Sequence, residues 1–205
     1  MNGAEEFYQS EEYDETLFHD AIETLRLSGA IIIDDIEIPS FHRDWSWGVS
    51  YYELKHSLDN FLAKLPPQIA IHSISDLIQF NRDNAERALK YGQNKLELRE
   101  TFPNTLRNPD YLLAKIEDLY FSQGQGIDFA LQNYSLDAIL FPSYIGSIIC
   151  AKAGYPSIAL PAGYKKGGKP FGITFAGTAF SEGMLIKLGY SFEQATKHRR
   201  SPKVM

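Results

Sequence analysis

With one cysteine in 205 residues, Cys150, this chain cannot be held by an intramolecular disulfide, and a reducing compartment is open to it. It also lacks long apolar runs: none approaches the ~20 residues that a membrane-spanning helix needs. The first residues, MNGAEEFYQSEEYDE, are acidic where a secretory leader would be basic, so a cytoplasmic address is expected. Positive charge is not in excess. Twenty Lys and Arg stand against 26 Asp and Glu, a formal charge of −6, which argues against nucleic acid as a partner. The five histidines (His19, His42, His56, His72 and His198) include no pair at the i, i+4 spacing of a helical metal site, and the residues call for neither metal nor cofactor. KKGGKP is followed by a strand pattern rather than a helix, so it is a turn and not a phosphate loop. Repeats and low-complexity stretches are absent too. What is present is a 44% hydrophobic, 13% aromatic composition, enough for one domain over residues 1–205 that buries roughly 70% of its unfolded surface.

Helical and strand patterns alternate along the chain. Asp14 is placed to cap a helix whose Leu17, Phe18, Ile22 and Leu25 share a side and which Gly29 ends. AIIIDDIEIP then reads as a strand stopped by Pro39. An aromatic helix follows from about Trp47 to Lys64, broken at Pro66 and Pro67. Trp45, Trp47, Tyr51 and Tyr52 lie at its start, as core packing or, alternatively, as an aromatic platform. Ser75 is the candidate cap of a helix ending near Gly92, and Asn108-Pro109 opens another that runs to about Gln132. DAILFPS is a buried strand.

The last quarter is the most informative. Pro156 to Leu160 is a short apolar strand closed by Pro161 and Gly163, Lys165 to Pro170 is turn chemistry, and Phe171 to Ala176 is a second strand. Ser181 and Glu182 suit a helix start, with Leu185, Leu188, Phe192 and Ala195 on one face. Lys197, His198, Arg199 and Arg200 suit its end, and Pro202 stops it. GYPSIALPAGY, GGKPFGITFAG and SFEQATKHR, in that order, resemble the C-terminal end of the amidase signature family, serine hydrolases that cleave carboxamides. The resemblance extends over nearly the whole chain, through LPP…HSISDLIQFN…ALKYGQ and the opening helix-strand unit. It implies an α/β fold: part of a large mixed sheet flanked by helices, incomplete on its own.

The family's chemistry has no counterpart here. The resemblance implies a serine nucleophile, a second serine and a lysine base, the serines in a loop of the Gly-Ser-Ser-Gly-Gly type. A serine hydroxyl is a weak nucleophile until a base takes its proton, and loop N–H groups must hold the oxyanion. This sequence has no adjacent serine pair and no glycine pair beside a serine. Ser143, Ser147 and Lys152 in PSYIGSIICAK are the nearest set, and ordinary strand-end and loop residues are the simpler reading. No catalytic residue is therefore assigned, and the bond-breaking positions are implied to lie upstream of Met1. Ligands in open α/β sheets sit beyond strand carboxyl ends. Phe141, Pro142, Ser143, Tyr144, Ile145 and Gly146 are accordingly the candidate substrate-pocket residues, in the region that the resemblance implies helps to wall the acyl pocket. Cys150, in SIICAKAG, reads as a buried thiol. Three functions stay open: an inactive C-terminal fragment of an amidase, one chain of a two-polypeptide amidase, or a scaffold that self-associates through an open sheet edge. Expected partners are thus a chain carrying the N-terminal amidase half, or a second copy.

Overall fold

The computed structural model describes Tyr8, Ser10 and residues 12–202, so most of the acidic N-terminal stretch lies outside the described residues. Those residues form two compact units, one of the described residues up to Trp45 and from Asp118 on, the other of residues 46–117.

The first unit is built on a three-stranded antiparallel sheet, β1 (Ile139–Pro142), β2 (Ser157–Tyr164) and β3 (Pro170–Ala176), in the order β1-β3-β2. Alternation along the strands sends side chains to opposite faces. Ile139, Phe141 and Ala176 enter one core with Ile127, Ala130, Ile149 and Cys150. Ile173, Phe175, Phe171 and Ala162 enter a second core with Ala21, Leu25, Leu185 and Phe192. Helices therefore cover both faces, the α/β layering that the sequence implies. The hairpin is longer than its sequence pattern because β2 continues past Pro161 through a register shift between Pro161 and Gly163. Gly163 has φ +146, and a Cβ there would stand 2.8 Å from Leu17 Cδ2.

Helix α1 (Glu15–Leu27) begins where expected. The Asp14 side chain accepts from Leu17 N at 3.0 Å, and Gly29 follows the end with φ +95. After it the expectation fails: residues 30–38 form no strand. Ala30 and Ile32 still pack inward while Ile31 is 89% exposed, so the side-chain alternation of a strand survives without its ladder. No backbone hydrogen bond joins residues 31–37 to the sheet among the described residues.

In the second unit, α2 (Gly48–Leu62), α3 (Ile74–Asp83), the short α4 (Ala85–Ala88), α5 (Asn94–Glu100) and the part of α6 (Pro109–Leu119) up to Glu117 pack around two small cores. Tyr52 meets Phe102 edge-on and Tyr111 at a tilt, with ring centroids 5.1 and 5.7 Å apart, so packing explains this part of the aromatic run. The other core is polar. Lys55 Nζ lies 2.7 Å from both Asp59 Oδ2 and Glu100 Oε2, and Asp59 Oδ1 accepts from Ile74 N. Burial alone would depress the Lys55 ammonium, but its two carboxylate partners prevail and raise it. The cap of α3 is Ser73, not Ser75. Ser73 is extended and accepts from Asp76 N at 3.1 Å, whereas Ser75 sits in the first turn and bonds Glu100.

Asn108 caps α6 as expected, accepting from Asp110 N at 2.8 Å. The single helix expected to reach Gln132 is instead divided. After α6 come wide π-helical turns at Tyr120–Ile127, broken at Gly126, and then α7 (Asp128–Asn133). A Cβ on Gly126 would meet Phe121 O at 2.7 Å and Ile149 Cδ1 at 3.0 Å. Close packing there excludes a regular helical turn with a side chain. Helix α8 (Ser147–Ala153) follows β1, and α9 (Glu182–Thr196) ends the unit. In α9 the buried face is Leu185, Gly189 and Phe192. Ala195 is exposed, and the closest approach is at Gly189, where a Cβ would meet Ile158 Cδ1 at 3.1 Å.

Candidate functional site

The candidate pocket residues form the turn from β1 into α8. Phe141 and Pro142 finish the strand and are buried, Phe141 stacking on Phe41 with centroids 5.6 Å apart. Ser143 takes φ +50, a left-handed conformation unusual for a serine. Two bonds hold it there: its N–H donates to Gly172 O at 2.8 Å, and its carbonyl accepts from Thr174 Oγ1 at 2.6 Å. The turn then closes through Ser147 N to Tyr144 O at 2.8 Å.

Only part of this turn reaches the surface. Tyr144 is exposed and Ser143 is half-buried, while Ile145 packs against the first core. Gly146 lies against the face of Phe141, where a Cβ would stand 2.3 Å from Cδ2. Phe141, Pro142 and Gly146 therefore fix the shape of the turn, and Ser143 and Tyr144 are what it presents.

Lys152 is turned to Asp118, with Nζ to Oδ2 at 2.7 Å, and Ser147 opens α8 at its exposed end. Cys150 is buried, and burial pushes its thiol up to about 11, a donation involving Ser157 only partly opposing this. No helix of the described residues is long and apolar enough to cross a membrane.

Sequence reasoning missed the residues that brace this region. Asp128, at the start of α7, accepts from Tyr155 Oη at 2.5 Å and from Thr178 Oγ1 at 2.7 Å. It thereby ties the segment before β2 to the segment after β3. Burial, and then the bond to Asp128, raises the Tyr155 phenol. Thr174 braces Ser143 from the neighbouring strand. No local spacing links Asp128 to Tyr155 or Thr174 to Ser143, because each pair meets only through the sheet. Thr174 does lie inside the GITFAG string, which was the available signal.

No protein-family model matches the chain. Individual relatives do. A probable amidase of Arabidopsis thaliana is 34% identical over 190 residues, covering 89% of this chain and 36% of that protein. The native peptide amidase of Stenotrophomonas maltophilia is similar in structure at a TM-score of 0.78 and 29% identity, over 91% of this chain and 40% of that one. An amidase family protein of Bacillus anthracis gives 0.79 and 26%, over 96% and 38%. The chain thus spans well under half the length of these relatives. Similarity of sequence and structure over about nine-tenths of its length places this chain in the amidase signature family.

Proposed function

We propose that this chain is the C-terminal portion of an amidase-type serine hydrolase, contributing scaffold and one wall of the acyl pocket to carboxamide hydrolysis and inactive by itself. One observation carries the reading: a chain that matches peptide amidase structure over 91% of its length contains no serine-pair loop in its sequence. The chemistry of a serine amidase needs a hydroxyl beside a base, and Lys152 is engaged by Asp118. In the complete enzyme, Ser143 and Tyr144 face the acyl group, on a turn whose shape Thr174 and Phe141 fix. The two serines and the lysine belong to the remainder of the amidase fold, which this sequence does not contain.

The test is amide hydrolysis by the purified chain over a panel of simple carboxamides, alone and mixed with a separately produced catalytic half. No turnover alone and turnover on mixing is the expected result. Turnover by the chain alone that disappears in Ser143→Ala or Ser147→Ala would overturn it.

Self-association through the open sheet is a second reading, favoured by Ile31 and Phe180, which are 89% and 95% exposed. Light scattering that finds a stable monomer at every concentration would dispose of it.

A further inference from the structure

Charge is unevenly placed along this acidic chain. Glu5, Glu6, Glu11, Glu12, Asp14 and Glu15 crowd into EEFYQSEEYDE, and no Lys or Arg precedes Arg26. Basic residues gather late, in KKGGK (165–169) and in Lys197, Arg199 and Arg200. The fold brings these two basic strings to one place. Arg200 donates its backbone N–H to Tyr164 Oη at 3.1 Å, and its guanidinium lies 4.8 Å from the centre of that ring, one residue before Lys165. Lys166, Lys169, Arg199 and Arg200 are exposed, so the tip of the β2–β3 hairpin and the end of α9 make one basic surface.

Part of the acidic segment is seated on that surface. Glu12 Oε1 accepts from Lys169 Nζ at 2.7 Å, and Lys165 Nζ donates to Tyr13 O at 3.3 Å. Tyr8 meets Tyr13 edge-on with centroids 5.0 Å apart, and Tyr13 meets Phe18 of α1 at 6.4 Å. An aromatic row thus anchors the segment beside the two lysines that hold its acceptors. The Glu12–Lys169 pair is about half exposed, and an exposed pair contributes little by itself. Tethering supplies the rest. Asp14 caps α1 immediately after Tyr13, so the segment is presented to the lysines at an effective concentration of order millimolar. A contact held in this way exchanges with any ligand of the same chemistry.

We infer that the hairpin tip and the end of α9 form a binding site for an acidic, tyrosine-bearing peptide segment, with Tyr8 to Tyr13 of this chain as its resident occupant. Lys169 takes a carboxylate and Lys165 the carbonyl of the next residue, while Lys166, Arg199 and Arg200 supply a field that favours an acidic peptide over a neutral one. None of these residues belongs to the turn before α8, so the site stands apart from amide hydrolysis.

The probe is the synthetic peptide AEEFYQSEEYD, residues 4–14, capped at both ends and titrated into the isotope-labelled full chain. Nuclear magnetic resonance shifts of the Gly167, Gly168 and Lys169 amides report binding at the hairpin tip. Glu12→Lys loosens the resident contact, and the added peptide is expected to bind this variant about fivefold more tightly than it binds the parent chain. Glu12→Lys with Lys169→Glu restores a pair of reversed sign within the chain and removes the carboxylate's partner, so the gain is lost. Raising salt from about 0.05 M to 0.5 M weakens binding to Glu12→Lys, because the charges are exposed. Both side chains are about half exposed, and the circular dichroism of each variant is expected to match that of the parent chain. Equal binding to the parent chain and to Glu12→Lys would show that residues 8–13 do not occupy the site, and overturns the inference. So does a Glu12→Lys chain that binds no peptide, or a double variant that keeps the gain. A scrambled peptide of the same composition that binds as tightly makes the surface a general polyanion patch, and overturns the peptide site.

Discussion

Lys152 Nζ stands 2.7 Å from Asp118 Oδ2, and about a tenth of either side chain is exposed. Gln123 reaches Ala153 O beside it at 2.8 Å, so the end of α8 is held to the π-helical turns by a charged pair and a neutral bond. A lysine placed this way is a strut. Removing one partner strands a charge that is about nine-tenths out of water. Lys152→Met is expected to lower stability by about 3–5 kcal/mol, and Lys152→Met with Asp118→Leu to regain much of it. Urea unfolding of the single and double variants checks this. A double variant no better than the single would mean that the pair has a role beyond its own neutralisation.

Gly146→Ala tests the turn that presents Ser143 and Tyr144. The new methyl would lie 2.3 Å from Phe141 Cδ2, and that ring is itself stacked on Phe41. The ring or the turn must therefore shift. A loss of about 1–3 kcal/mol is expected, as for overpacked cores. Thermal unfolding reads it, and Ser147→Ala, one residue on and exposed, should be close to neutral.

What the sequence made legible is what local chemistry decides. Asp14, Asn108 and the β2–β3 hairpin follow from caps and turn residues acting within a few positions. The failure at residues 30–38 has a different cause. AIIIDDIEIP has strand composition and strand alternation, but a ladder requires a neighbour, and β1 does not reach it. Ser73 and Ser75 stand two residues apart at the start of one helical pattern, and what separates their roles is the bond from Asp76 N to Ser73 and that from Ser75 to Glu100. The brace from Thr174 to Ser143 was beyond any window, since 31 residues separate them.

The two serines of α3 give a direct comparison. Ser73→Ala removes the acceptor for Asp76 N and should cost about 1 kcal/mol. Ser75→Ala should cost less, because its partner Glu100 keeps Lys55. The pH dependence has a defined sign. His72 N–H and then the Ser73 hydroxyl hold the Asp76 carboxyl below its usual range. Its contribution is therefore present above the unfolded carboxylate value, about 3.9, and is lost as pH falls through the lower folded value. The stability difference between Ser73→Ala and the parent chain should shrink in acid, as denaturant titrations at several pH values would show.

Lys55 has the opposite sign. Its folded value is raised by Asp59 and Glu100, so its contribution is complete below the unfolded lysine value of about 10.4 and is lost as pH rises through the folded one. Lys55→Met should be destabilising at neutral pH, leaving Asp59 and Glu100 facing each other. Above neutral pH the gap to the parent chain should narrow only in strong alkali. A gap that closed between pH 5 and 8 would rule out this assignment.

Cys150 provides a clock for opening of the first core. Its thiol is buried among Ile127, Ile149 and Ala153, and with a value of about 11 only about one part in a thousand is thiolate at pH 8. An unfolded cysteine, near 8.5, is about a quarter ionised at that pH. Accessibility multiplies the difference, since a reagent must enter between α8 and the sheet. Labelling with an aromatic disulfide reagent should therefore be slow in the folded chain, and its rate should rise in parallel with the unfolded fraction as urea is added. Tyr155→Phe removes the bond to Asp128 that ties down the residue after Gly154, and should speed labelling without urea. Rapid labelling of the parent chain would show that the α8 face of the sheet opens readily, and that the packing of Phe141, Ile149 and Cys150 does not set the shape of the turn before α8.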